Sequence, residues 1–529
     1  MLAARGAVTQ RNRGSVLVGA GILLSRISGL VRQKVMSHYF GLSDTADVFY
    51  AAFRVPNFLQ NLFGEGALSA SFIPSYSRLL GEGREDEARR LAGAVLSLLT
   101  LVVAVIVLGG VLGAPALVAL LAPEWTGEKQ ALMERLIRIL FPGAGLLVLS
   151  AWCLGVLNSH RRFLLSYAAP VVWNIAIIVA VLIAGPRGGM DHVAVWAAWG
   201  SVAGSLLQVA VQWPMVRHVG GAIRFRGWGG VPEVGVVVAT FLPALLSRGA
   251  LQFVAFVDIY LAGLLGEGAV AVLTSAQVLY TLPVSLFGMS ISAAELPEMS
   301  RERGDTDAIA GSLRVRLDAA TQRLAFYIVP SAVAFLFLGG VLAAAIYQGG
   351  KFTADDSQYV WVVLAGSATG LLASTLARLY ASAFYSLRDT RTPLRAALIR
   401  VGLASGLGAI AALLVPGWLG IDEKWGVVGL TFTAGLSGHV EFMMLRRGLC
   451  RRIGRFSLPQ TELAKLWGAA LLAGVVATGG RLLLGHLAPL PMAAVVVPLF
   501  CATYLAATHT MDIPEAAVLT SRLVRRVRR

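Results

Sequence analysis

The sequence predicts an all-α fold, a polytopic membrane helix bundle of about fourteen spans. Three observations carry this reading. Of 529 residues, 57% are hydrophobic and only 14% are charged, whereas a soluble domain carries about a quarter charged residues. Apolar runs near the ~20 residues that cross a hydrocarbon core recur from end to end. The connecting loops also alternate between cation-rich and cation-poor, the pattern of a chain threaded repeatedly through a bilayer.

Taken in order, the spans fall at 15–40, 44–63, 88–113, 130–157, 163–184, 191–217, 236–263, 269–291, 321–347, 358–386, 391–415, 425–447, 463–485 and 489–509. The first two interrupt their apolar runs with charge. The third to sixth are apolar and are joined by loops carrying Arg84, Arg89 and Arg90, then Arg161 and Arg162. The seventh opens after Gly220 to Pro232, a longer stretch placed where a division into halves would put a linker. Before the ninth, Ser300 to Arg316 mixes charge with Ile309 and Leu313, followed by Leu317. That mixture predicts a helix lying on the membrane surface. The expected organisation is a first lobe of about six spans over 1–219 and a second over 220–450. Two additional spans and the basic tail "SRLVRRVRR" then occupy 451–529.

Loops with Arg224 and Arg226, Arg301 and Arg303, Arg388 and Arg391, and Arg446 to Arg455 belong to the cationic set. The opposite set ("GLSDTAD", "APEWTGEK", "AGPRGGMD", "LGEG", "QGGKFTADDS", "GIDEK") is nearly free of cations. An even number of spans with both termini cytoplasmic satisfies this alternation. The N-terminal "MLAARGAVTQRNRGS" reads as a retained cytoplasmic tail, because it lacks a small-residue cleavage site. A net charge of +16 is then the signature of cytoplasmic loops that face anionic membrane lipid. No soluble basic module exists to engage nucleic acid. Cys153, Cys450 and Cys501 are too widely spaced to suggest a disulfide framework or a metal cluster. HExxH, GxSxG and Walker motifs are all missing, so the expectation is a non-enzyme without a cofactor. Transport would then run on a coupling ion, Na+ or H+, or on membrane potential.

Charge inside a bilayer is costly and usually faces a bundle interior or a watery cavity. Arg26 and Arg32 in the first span are six residues apart, about 120° around a helix, and share one space only if that space is wide or if the helix bends, for instance at Gly29. In the second span Asp47, Arg54 and Asn61 repeat every seven residues, with Glu65 eighteen beyond Asp47. On an ideal helix these fall within about 40° of one line. Pro56 predicts a kink, and Gly64 and Gly66 a break. Three arginines against Asp47 and Glu65 leave a positive excess, which points to an anion site. Arginine suits phosphate because its planar fork donates two parallel hydrogen bonds. Arg248 and Asp258 add charge to the seventh span. Asp258 could ligate a coupling cation through oxygen or help helices pack as a paired acid. Asp389 in "FYSLRDTRTPLR" reads as a turn or helix cap, with a cation role as the lesser reading. Trp173 and Asn174 read as membrane-interface anchors.

Several long segments, "SRISGLVRQ", "TADVFYAAFRVPNFLQNLFGEGALSASFIPSYS", "LGVLNSHRRFLLSYAAPVVWNI", "IYQGGKFT" and "FYSLRDTRTPLRAA", resemble the MurJ/MviN family of lipid II flippases in the right order over roughly 15–450. The resemblance implies a fold of the multidrug/oligosaccharidyl-lipid/polysaccharide exporter superfamily, with two lobes around a central cavity. It implies carriage of undecaprenyl-diphosphate-MurNAc-pentapeptide-GlcNAc from the cytoplasmic to the periplasmic leaflet of the bacterial inner membrane by alternating access. It carries cavity roles onto Arg26, Arg32, Asp47, Arg54 and Glu65. Departures stand at Gln60 and Asn61, where the family usually has a basic pair, and at Gln277 and Val278, where it usually has Asp-Arg. Gln60 and Asn61 are kept as head-group candidates, and Arg248 is a candidate replacement charge. The expected partners are lipid II or a similar undecaprenyl-diphosphate lipid and membrane lipids. A monomer is expected, with contacts to cell-wall synthesis proteins as a further expectation. Rival readings are an exporter of another prenyl-linked glycan or of drugs, and a membrane-embedded enzyme or scaffold of cell-wall synthesis.

Overall fold

The structure, a computed structural model, describes residues 21–519 except 22, 222, 224, 226, 228–230, 293–294, 296–298, 300–305, 388, 457–459 and 518. The described chain is helical throughout, and its only bridge is the isolated Gly349–Phe352 turn. In the first half the helices are α1 (23–40), α2 (Asp44–Asn61), α3 (Ser69–Gly81), α4 (Glu85–Leu112) and α5 (Ala114–Leu121). They continue as α6 (Gly127–Ser159), α7 (Phe163–Ala184), α8 (Met190–Gly220) and α9 (Pro232–Gly263). The second half holds α10 (Ala269–Pro283), α11 (Thr306–Tyr347), α12 (Ala354–Ala368), α13 (Leu371–Ser386) and α14 (Arg391–Leu413). After these come α15 (Val415–Leu419), α16 (Gly426–Ile453), α17 (Gln460–Leu483) and α18 (Pro489–Thr510).

Nine of the described helices are long and apolar enough to cross a membrane, and α12 with α13 supplies a tenth as a broken span bent by 46°. Three of the helices outside that set carry charge along their length. Arg26, Arg32 and Lys34 lie on α1; Asp44, Asp47 and Arg54 on α2; Glu441, Arg446, Arg447, Arg451 and Arg452 on α16.

Local chemistry sets several boundaries. Ser43 caps α2 by accepting the Ala46 amide. Thr353 and Asp356 form a reciprocal capping box that starts α12. Gly41, with φ of 60°, turns the chain between α1 and α2 in the left-handed region that glycine tolerates.

The described residues divide into two compact units between Gly263 and Leu264. Helix α9, which the loop at 220–232 would assign to the second lobe, thus belongs to the first unit. The cause is aromatic packing: Phe256 meets Phe58 edge-on at 5.1 Å, and Phe241 lies 6.0 Å from Phe63. The indole N–H of Trp125 also donates to the Gly263 carbonyl. The core of this unit gathers Phe72, Leu91, Trp152 and Val156 around the α3, α4 and α6 contacts.

Two cores organise the second unit. In one, α11 packs against α17 and α18 through Val329, Val333, Ala470, Ala473 and Val496. In the other, Leu313 and Leu317 are buried with Leu379, Phe384 and Leu445. This corrects the surface-helix expectation for 300–316: from Thr306 onward the segment is the first part of the 42-residue α11, held down by that core. Residues 300–305 lie outside the described set.

A second correction concerns the charged second span. The chain neither breaks at Gly64 and Gly66 nor leaves the helical path. It passes from α2 through a π-helical stretch, Leu62–Leu68, directly into α3. Hydrogen bonds that reach one residue further widen the turn without ending the helix.

Candidate functional site in the first unit

The site is built on α1, α2, α7 and α8. The Arg32 guanidinium carbon lies 5.5 Å from the centre of the Phe53 ring and 5.0 Å from that of Trp173. The two rings stack with their centres 5.6 Å apart and their planes 20° from parallel. Cation and rings therefore form a nearly equilateral corner, in which the arginine touches both aromatic partners at once. Phe49 extends the stack along α2, 5.3 Å from Phe53.

Arg32 Nη1 donates to Asn174 Oδ1 at 3.1 Å. Because arginine has only donors, the Asn174 oxygen must face it. The amide nitrogen of Asn174 then donates to Ser28 Oγ at 2.9 Å, and Ser28 donates to the Ser25 carbonyl. The indole N–H of Trp173 is shared between the Ser201 carbonyl and hydroxyl at 3.1 and 3.2 Å on α8. Next to Arg32 on α1, Gln33 donates to the Tyr50 hydroxyl at 2.7 Å and ties α1 to α2. Helix α1 continues through Gly29 without interruption. A Cβ there would lie 3.9 Å from Asn174 Nδ2, an ordinary contact distance, so the amide passes close beside this residue.

The other predicted residues stand in different surroundings. Asp47 is fully buried, so in this arrangement it does not line an open space. Arg54 is half-buried and lies within electrostatic reach of Asp258 on α9. Gln60 is half-buried and Asn61 exposed near the end of α2. Arg26 is exposed on α1 beside Leu23 and Ile27, which are exposed as well. Glu65 falls in the π-helical stretch and Arg248 in α9; their side chains lie outside the described residues. A π-helix advances fewer degrees per residue than an α-helix, so a stripe drawn with ideal α-helical phase does not continue unchanged to position 65. In the second unit, Gln277 and Val278 are half-buried on α10.

Asp389 sits just before α14. Its Oδ1 accepts the amides of Arg391 and Thr392 at 2.9 and 3.0 Å, and its Oδ2 accepts the Thr392 hydroxyl and pairs with Arg452, each at 2.6 Å. The Thr392 hydroxyl above all, helped by those amides and by Arg452, holds this carboxyl below its ordinary range. Among the described residues no three His, Cys, Asp or Glu side chains converge as a metal site would require.

The sequence reading missed the partners of Arg32. Trp173 and Asn174 are not interface anchors, since they close the arginine corner. The available signal was an asparagine in the middle of an apolar span, where an uncompensated amide is expensive.

Solved structures resemble most of the chain. A structure of the lipid II flippase MurJ in an inward closed conformation aligns with a TM-score of 0.76 at 22% identity, covering 94% of this chain and 98% of that one. An inward-facing multidrug resistance MATE transporter of the MOP superfamily aligns with a TM-score of 0.66 at 17% identity, covering 83% and 96%. The chain therefore shares the many-helix fold of these two structures.

The family model "Lipid II flippase MurJ" matches residues 36–495. The probable lipid II flippase MurJ of Vibrio cholerae is 29% identical over 89% of this chain and 88% of its own length. The lipid II flippase MurJ of Burkholderia cenocepacia is 30% identical over 83% and 84%, and the probable flippase of Rhizobium meliloti 31% identical over 76% and 77%. The chain belongs to the lipid II flippase MurJ family.

Proposed function

We propose that this chain moves lipid II across the bacterial cytoplasmic membrane by alternating access, without chemical conversion of the lipid. The observation that carries the reading is Arg32, a cation held between α1, α2 and α7 by neutral partners. Such a charge keeps its attraction for a diphosphate. Arg26 and Arg54 are assigned to the same head group, with Asp258 as the counter-charge that Arg54 exchanges for substrate. The prenyl tail remains in lipid. Family membership supports lipid II over another prenyl-linked glycan. The chain acts as a monomer with both termini cytoplasmic. Its energy comes from an ion gradient or from membrane potential, since no nucleotide-binding motif stands in the sequence.

The test is a proteoliposome assay with fluorescent lipid II, in which an external quencher reports arrival in the far leaflet. Wild-type protein should accelerate equilibration. R32A should slow it at least about tenfold, the weight of a lost charge-assisted hydrogen bond to phosphate. Equal rates for R32A and wild type would sink the site assignment. A wild-type rate no faster than that of protein-free vesicles would sink the transport reading itself. Parallel vesicles with another undecaprenyl-diphosphate glycan decide the substrate.

A further inference from the structure

We propose that Trp173 and Asn174 are positioning residues that aim the Arg32 guanidinium at a prenyl diphosphate. The proposal rests on the reading of Arg32 as a head-group ligand and deepens it by naming what makes that ligand selective.

A lone arginine in a membrane helix is mobile and tends to snorkel toward the interface. Here two contacts of different kinds remove that freedom. The Phe53–Trp173 stack receives the guanidinium carbon, and Asn174 takes one N–H through its oxygen. Each holder is itself held. Trp173 is hydrogen-bonded to Ser201, and a Cβ added at Gly204 would come within 2.9 Å of the indole Cδ1, so this glycine leaves the ring its seat. Asn174 is oriented by Ser28, whose own proton goes to the Ser25 carbonyl.

The chemistry of the holders decides the consequence. A carboxylate at position 174 would grip the arginine at least as firmly and would cancel its charge. An amide and two aromatic faces grip it while leaving the full positive charge in place. Arginine has five N–H donors, and Asn174 receives one of them. The others remain for an in-plane, bidentate contact with phosphate oxygens, a geometry that lysine cannot reproduce. Neutral positioning thus favours a group that offers two neighbouring acceptor oxygens, such as a phosphoryl group of a diphosphate, over a single anionic oxygen.

The experiment uses the full chain in nanodiscs, with farnesyl diphosphate as probe and farnesol as uncharged control. N174D keeps the shape of the side chain and introduces a carboxylate; W173L removes the aromatic face; W173F keeps an aromatic face, smaller than the indole's and without its N–H. Expected is a loss of farnesyl diphosphate affinity of about tenfold or more for N174D and W173L. W173F should bind within about twofold of wild type, and farnesol binding should be unchanged throughout. A purely structural role would weaken farnesol and diphosphate together and would not be rescued by phenylalanine; either result overturns the proposal. If W173L fails to fold, N174D decides alone, and N174D at wild-type affinity overturns it. R32A separates the two levels. Affinity lost in R32A but kept in N174D and W173L removes only the positioning role, whereas affinity kept in R32A removes the head-group reading on which that role depends.

Discussion

Arg32 illustrates how a membrane protein can keep a charge without cancelling it. A cation over an aromatic face gains about 0.5–2 kcal/mol according to its desolvation, and one amide bond adds direction without opposing charge. Asp389 follows the opposite logic, because its carboxylate is consumed by local structure. It caps α14 and anchors Arg452 of α16. D389A should lower stability by roughly 1 kcal/mol, the usual worth of a helix cap, read as a lower thermal midpoint of the solubilised protein. D389N, which keeps one acceptor oxygen, should lose less. Since the folded carboxyl is held below its ordinary range, its contribution is fully present above the unfolded value of ~4. It disappears as pH falls through the folded value. The D389A deficit should therefore be constant from pH 5 to 8 and shrink in stronger acid; a deficit that grows on acidification would contradict the capping role. Asp389 could be read as a cap from its place in "RDTRTP", because capping is a matter of neighbours in sequence. The partners of Arg32, 141 and 142 positions away, left no such local pattern.

At the scale of elements, hydropathy and loop charge located the helices well but misjudged how some of them join. The span expected at 358–386 bends where Thr369 and Gly370 separate α12 from α13. There a Cβ on Gly370 would run into the backbone of Gly435 on α16, and one on Gly366 would meet Thr431 Oγ1 at 2.6 Å. A backbone cannot rotate aside as a side chain can. G370A should cost about 1–3 kcal/mol by overpacking, seen as a lower thermal midpoint or reduced yield. Gly402 and Gly406 on α14 face open space. G402A and G406A should be neutral or stabilising by up to about 1 kcal/mol, because alanine is the better helix former. A G370A protein as stable as G402A would refute the close approach. The π-helical stretch after α2 and the burial of the first turns of α11 belong to the same class of surprise. Both depend on what lies beside the helix, and periodicity within one segment carries no record of that.

Across the whole molecule, the alternating loop charge makes a prediction that the two units by themselves do not. Single cysteines placed by D86C and D355C, in a chain lacking Cys153, Cys450 and Cys501, should differ in access to an impermeant thiol reagent applied to intact cells. D355C should label from outside and D86C only after lysis; the reverse labelling, or equal labelling of both, would refute cytoplasmic termini. By itself, the sequence determined that this protein is a many-spanned helical membrane chain of the MurJ kind. Length, hydropathy and charge asymmetry act locally, residue by residue, against a solvent that is always the same bilayer. Only the tertiary structure decided that α9 joins the first unit, that Asp47 is buried, and that Trp173 and Asn174 hold Arg32. Those outcomes depend on which distant surfaces fit together, and packing complementarity is a property of pairs of helices that no single stretch of sequence contains.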